Sequence, residues 1–202
     1  MGILSSIGRV FAQTYWREKP IIDLLHPFLA DVGEVLDIGA GGCQIAHLIS
    51  VTHQVDVTAV DIVDHRVTDV PLTLYDGETL PFDDNSFDVS LLIFVLHHAV
   101  DPERLIREAL RVTRSTLLIV EDAPKNVVEK VFWRSWDYLL NHGAHNDISI
   151  AHDARGTKEW SDLLAAAGAP AERVLSFRTL FPVLRTYPHV LLPVPVHRST
   201  GA

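Results

Sequence analysis

Val35-Leu36-Asp37-Ile38-Gly39-Ala40-Gly41-Gly42 is the stretch from which the rest of the chain can be read. A short apolar run ends in an acid and then in a cluster of glycines. An apolar run of this length between breakers reads as a buried strand. The glycines after it carry no Cβ, so the backbone there turns tightly and approaches a ligand closely. Residues 43–50 read as a helix whose N-terminus points at that ligand. Strand, glycine turn and helix in this order open a doubly wound α/β domain, and such turns bind nucleotides.

The spacing of the glycines narrows the nucleotide. A dinucleotide fingerprint requires G-x-G-x-x-G. Gly39 and Gly41 fill its first two positions, but the third falls on Gln44. An S-adenosyl-L-methionine (SAM) loop has the form acid-x-G-x-G with the acid at the strand end. Asp37-Ile38-Gly39-Ala40-Gly41 has that form.

The composition sets limits on the rest. A chain of 202 residues suits one domain, here 1–202, with length enough to bury a sizeable core. A net charge of -9 argues against a general nucleic-acid binder. The single cysteine, Cys43, excludes an intramolecular disulfide and fits a reducing, cytoplasmic setting. No secretory signal and no membrane-spanning apolar run is read. Met1-Gly2-Ile3-Leu4-Ser5-Ser6 fits a short myristoylation pattern, but no polybasic segment follows to support an anchor. A homodimer is left open as an assembly.

Other segments follow the same alternation. Residues 11–30 read as a helix with an apolar stripe of Phe11, Tyr15, Ile22, Leu25 and Leu29, interrupted by Pro20. It packs on the sheet or, in the sharper reading, forms a lid (1–30) with Tyr15 or Trp16 over a ligand. Residues 55–60 read as the second strand, with Asp61 at its tip, 22 residues after Gly39. An acid at that spacing accepts from ribose hydroxyls. Residues 72–75 read as the third strand and 87–95 as the fourth, apolar on both faces as a central parallel strand is. His97 and His98 stand just past its C-terminal end, the edge where such sheets bind ligands. Asp101-Pro102 opens a helix with a capping carboxylate and a proline at its first position. Its arginines, Arg104, Arg107, Arg111 and Arg114, read as a solvated face paired with Glu103 and Glu108. Residues 116–120 read as the fifth strand, ending at Glu121-Asp122.

Residues 124–156 break the alternation. Val127, Val128, Val131, Phe132, Trp136, Leu139 and Leu140 suit an amphipathic helix, followed by a segment rich in histidine. His142, His145, Asp147 and His152 lack the tight spacing of a metal site, so no metal is assigned. Thr157 reads as the cap of a helix that stops at Gly168. Two strands are expected over 171–196, although Pro193 and Pro195 lack the donors that a sheet interior uses.

Taken together, four segments resemble the class I SAM-dependent methyltransferases, in the branch that includes ubiquinone/menaquinone-type enzymes. They are residues 35–41, Ala59-Val60-Asp61, residues 76–82 with Ser86-Phe87-Asp88, and Val95-Leu96-His97-His98 followed by Asp101-Pro102-Glu103. The resemblance covers roughly residues 30–122. It implies a Rossmann-like α/β fold with helices on both faces of a seven-stranded sheet, in order 3-2-1-4-5-7-6 with the last strand antiparallel. It implies that Asp37, Gly39 and Gly41 hold the methionine end of SAM. Asp61 takes the ribose, Ile62 packs on the adenine, and Asp76 accepts from the adenine amino group with Gly77 beside it. Ile93-Phe94 passes under the cofactor. Cys43 departs from the family, which often has glycine there, and the usual lysine-proline-glycine turn before the fifth strand is replaced by Val112-Thr113-Arg114-Ser115.

The expected activity is methyl transfer to a small-molecule acceptor by in-line displacement. A histidine serves as general base if the acceptor must lose a proton. The candidates are His97 and His98 at the sheet edge, and His145 and His152 in the 124–156 insertion, which is expected to shape the acceptor pocket. The alternative is a SAM-binding partner protein without catalysis. A nicotinamide oxidoreductase is disfavoured by Gln44, and a nucleic-acid methyltransferase by the acidity.

Overall fold

A computed structural model of the protein describes residues 18–131, 155–180 and 186–196. Its centre is the strand β1 (Glu34–Ile38), whose last four residues are all buried. Parallel neighbours flank it: β2 (Asp56–Asp61) on one side and β4 (Phe87–Ile93) on the other. Beyond β2 lies β3 (Leu72–Leu74). Beyond β4 lies β5 (Thr113–Asp122). An antiparallel hairpin, β6 (Leu175–Leu180) and β7 (Thr186–Pro195), closes the sheet with β7 innermost. Among the described residues the order is therefore β3-β2-β1-β4-β5-β7-β6, as the resemblance implies.

Helices cover both faces, because each face of the parallel strands is apolar and must be buried. One face receives α1 (helical over 18–25) through Ile21, Ile22 and Leu25, the short 3-10 turn after it through Leu29, and α2 (Gln44–His53) through Ile49. The other receives α3 (Pro102–Val112) through Leu105, Ile106 and Ala109, and α5 (Thr157–Ala166) through Trp160 and Leu164. Each such aliphatic side chain contributes about 1.5–3 kcal/mol on burial. The described part of the N-terminal helix thus packs on the sheet; Phe11, Tyr15 and Trp16 lie outside the described residues. After β5 the described residues 127–131 are helical (α4), and Val127, Val128 and Val131 on this stretch are exposed.

Several local expectations change. Asp101 caps α3 as read, its carboxylate accepting from Arg104 N at 2.9 Å. The cap of α5 is Gly156, with Thr157 the first helical residue. The carboxylate of Glu159 accepts from Gly156 N there, so the acid does the capping work instead of the threonine hydroxyl. Pro193 and Pro195 of β7 sit in an interior strand without harm, and the register says why. β6 pairs β7 only as far as Leu191, so residues 192–195 have β5 on one side alone. Pro193 O accepts from Glu172 N, which places its polar edge away from β5, where no ladder donor is required.

The arginine face of α3 is only partly the solvated row expected. Arg107 pairs with Glu103 in the open. Arg111 instead reaches Leu80 O, Phe82 O, Asp84 and Glu108, and Glu108 accepts in turn from Leu80 N. Arg114, just past the helix, joins Glu34 and Asp88 and the carbonyls of Asn85 and Ser86. Arg111 therefore ties a loop to α3, and Arg114 ties one to the sheet.

Candidate functional site

The C-terminal ends of β1, β2, β4 and β5 bring the candidate residues to one edge of the sheet. The glycine loop after β1 is held from below: Gly39 N and Ala40 N both donate to Val60 O, at 2.8 and 3.2 Å. Gly39 has φ +72°, and a Cβ there would stand 2.6 Å from Val95 Cγ2, so glycine is required twice over, by conformation and by space. At Gly41, φ +52°, a Cβ would meet nothing within 4 Å; this side of the loop faces open space. Cys43, the cap of α2, is fully buried with φ +59°. The position demands the left-handed backbone that glycine adopts freely, which is the physical content of the cysteine-for-glycine departure. A non-glycine residue held there costs about 1–3 kcal/mol.

Acids line the loop. Asp61 Oδ2 accepts from Gly41 N at 2.7 Å, and Oδ1 accepts from Ile62 N at 2.6 Å. Asp61 therefore latches the tip of β2 to the glycine loop. A carboxylate oxygen has further lone pairs, so this latch leaves acceptor capacity for hydroxyls. Asp37, 3% exposed at the end of β1, has its carboxyl pushed up to about 7, first by burial and then by the charge of Asp61. The Cys43 thiol is raised to about 11 by burial and then by Asp37, which makes it inert.

After β3, Asp76 is exposed and its Oδ1 accepts from Glu78 N and Thr79 N at 2.8 and 3.0 Å. These two N–H groups hold its carboxyl below the usual range. Gly77 beside it has φ +80°, and a Cβ there would come within 3.3 Å of Ile62 Cγ2. Ile62 and the Asp76-Gly77 turn are thus neighbours, and Ile62 is 56% exposed. An exposed apolar side chain beside an acceptor carboxylate suits a flat heterocycle with an amino group. Open space at Gly41, ionisable acids and this apolar shelf all fit the adenosyl and methionine parts of SAM.

At the end of β4 the backbone is strained. Phe94 has φ +57°, an outlier for a bulky residue, while its N–H donates to Val120 O at 2.8 Å. Such outliers cluster at functional sites. His97 Nδ1 lies 2.6 Å from Glu121 Oε2, and Glu121 Oε1 accepts from Leu96 N at 2.7 Å. Glu121 has no exposed surface. The His98 ring stands 4.1 Å from that of His97, tilted by 42°. His145 and His152, like His142 and Asp147, lie outside the described residues, as do Phe132 and Trp136.

The sequence reading missed Glu121 as a partner of His97. The signal was an acid closing an otherwise apolar core strand. His189 was missed altogether; a lone histidine before the apolar run Val190-Leu191-Leu192 marked it. Among the described residues no group of three metal-type ligands forms, and no helix is long and apolar enough to cross a membrane.

Comparison with known proteins agrees with this geometry. Residues 36–119 match the family model described as "Methyltransferase domain". The curated "Demethylmenaquinone methyltransferase" of Paenarthrobacter aurescens is 28% identical over 163 residues, which are 73% of this chain and 62% of that protein. The chain thus spans about three fifths of the length of the curated relatives it matches. In fold it is similar to a SAM-dependent methyltransferase of Thermotoga maritima, with a TM-score of 0.68 at 18% identity over 96% of both chains. It is also similar in fold to the [4+2]-cyclase SpnF, with a TM-score of 0.63 at 16% identity, covering 87% of this chain and 79% of that one. Over residues 36–119 the chain is similar to the methyltransferase-domain family, and SAM is the cofactor which that similarity implies.

Proposed function

We propose that this protein transfers a methyl group from SAM to a small-molecule acceptor, with His97 as the general base. When bound, SAM supplies a methyl already activated on a sulfonium sulfur. The residues hold and orient. Asp37 and the Gly39–Gly41 loop take the methionine end. Asp61 takes the ribose, and Ile62 with Asp76 and Gly77 takes the adenine. Phe94 lies beneath the cofactor. Positioning of this kind lowers a transfer barrier by about 7–11 kcal/mol.

Glu121 is the observation that carries the base assignment. A carboxylate accepts only, so an ionised Glu121 makes His97 Nδ1 the donor and leaves Nε2 as the basic nitrogen. A histidine oriented by a buried acid is the recurring arrangement for proton removal. The second bond of Glu121, from Leu96 N, fixes the carboxylate and with it the ring. His98 is the alternative base, being its ring neighbour. In this reading residues 124–156 with the N-terminal helix build the acceptor pocket, and His145 and His152, outside the described residues, are further candidate bases. The name of the curated relatives makes a demethylmenaquinone-type quinol the first acceptor to assay.

The test is turnover, read as S-adenosylhomocysteine (SAH) released, with quinols and simple phenols. His97→Ala and Glu121→Gln should each lower kcat by about 10²–10⁴-fold or less while leaving SAH affinity unchanged. Equal turnover in wild type and both variants shifts the base to His98 or the insertion. SAH binding with no transfer to any acceptor supports a binding protein instead.

A further inference from the structure

Below Phe94, on the face of the sheet that α1 covers, lies a second pair of histidine and acid that the proposed chemistry does not use. Asp122, His189 and Phe177 form one rung across β5, β7 and β6. His189 is 3% exposed and Thr179 is 2% exposed. Thr179 Oγ1 and His189 Nε2 are 2.7 Å apart. His189 Nδ1 and Asp122 Oδ1 also meet at 2.7 Å, outside the alignment of a hydrogen bond, and neither atom has another hydrogen-bond partner. With the threonine hydroxyl donating to Nε2, the ring proton sits on Nδ1, toward the carboxylate. The two ring nitrogens thus face side chains of the fold, Thr179 and Asp122.

What the ring does touch is aromatic. The centroid of Phe177 lies 5.1 Å from it at 36°, and that of Phe94 lies 5.3 Å away at 63°, an edge-to-face contact. Phe94 is the residue held in the left-handed conformation at the end of β4. Its backbone is tied to Val120 by one hydrogen bond. A ring hydrogen-bonded to Thr179 on one edge and abutting Asp122 on the other is a stiffer wall for the Phe94 side chain than an aliphatic chain free to change rotamer.

We infer that His189, fixed by Thr179 and Asp122, is a positioning residue that holds Phe94 in its left-handed conformation as the floor of the cofactor site. The inference rests on the proposed place of Phe94 beneath SAM. It concerns a residue on the hairpin that closes the sheet, remote in sequence from every cofactor motif.

Calorimetric SAH affinity and thermal stability, measured together on the whole chain, test it. His189→Ala should weaken SAH by about threefold to tenfold, the effect of losing one aromatic pair. His189→Phe restores a ring against Phe94, so it should return SAH affinity to within about twofold of wild type. Its Tm should stay low, since Asp122 then faces a phenyl group. In a Phe94→Ala background, His189→Ala should add no further loss, because the two act as one unit. A purely structural histidine gives another pattern: Tm falls in His189→Ala while SAH affinity stays at the wild-type value, and that result overturns the inference. Additive losses in the double variant overturn it as well. If Phe94→Ala alone leaves SAH affinity unchanged, the place of Phe94 in the site is wrong, and the inference falls with it. If Phe94→Ala weakens binding and His189→Ala does not, only the inference falls. Should His189→Ala not fold, Thr179→Val keeps every ring and removes one tether. It should then weaken SAH by about twofold to threefold, and unchanged affinity there counts against the proposal.

Discussion

Cys43 carries a side chain where the backbone asks for none. At φ +59° a Cβ is strained, and the fully buried thiol recovers part of that cost through packing. The usual order of substitutions should therefore invert. Cys43→Gly should be more stable than Cys43→Ala by about 1 kcal/mol, because alanine keeps the strain and loses the sulfur. Chemical denaturation of the two variants checks this; an alanine variant at least as stable as the glycine one refutes it. Asp37 supports a second prediction at this scale. Burial raises its carboxyl to about 7 in the fold against an ordinary 3.8. The folded state thus binds more protons than the unfolded state between these values. The stability this contributes is present below about pH 4 and is lost as pH rises to about 7. The cationic methionine end of SAM favours the ionised acid. Cofactor binding should therefore release a proton near pH 6 and strengthen with pH up to about 7, by at most about tenfold per unit. Calorimetry in buffers of different ionisation heat measures that release, and Asp37→Asn should abolish it.

Among the elements, α3 does more than cover the sheet. Arg111 and Glu108 hold the segment from Leu80 to Asp84, which follows directly on the Asp76 turn. Arg111→Met removes four partners and leaves Glu108 half-satisfied. It should cost about 2 kcal/mol, discounted for partial exposure of the guanidinium, and weaken SAH by a few fold through the loosened turn. Unfolding midpoints and calorimetry read the two effects separately. In β7 the prolines make a sharper contrast. Pro193→Ala should cost less than about 1 kcal/mol, since no ladder donor is called for at that position. Val190 lies two residues from Pro188, whose carbonyl accepts from Ala123 N on the β5 side. The Val190 N–H therefore faces β5, and Val190→Pro should cost about 3 kcal/mol or more. Equal costs at the two positions would contradict the register.

For the whole molecule, a ligand that binds only the folded chain must raise its stability by mass action. SAH at one hundred times its dissociation constant should add about 2.7 kcal/mol. For a chain of this length that is a rise in Tm of about 5–11 °C. A thermal melt across an SAH series measures it, and an unchanged Tm removes the cofactor site altogether. Much of this molecule was legible before any coordinates. The apolar run of β1, its terminal acid and the spacing of Gly39 and Gly41 determined by themselves the strand, the turn and the class of ligand. Those features are local: a period, a breaker, a residue without a Cβ. The tips at Asp61 and Asp76 were legible for the same reason, each lying at the end of a strand marked by its own pattern. Only the tertiary structure decided that Glu121 stands behind His97, 24 residues away, and that His189 stands against Phe94, 95 residues away. It alone showed that Arg111 and Arg114 bind loops, and that Pro193 and Pro195 of β7 lie where β6 has already ended. Those facts depend on which strands become neighbours and in what register. Pairing across a sheet is a property of the packed whole, and no periodicity along one strand encodes its partner.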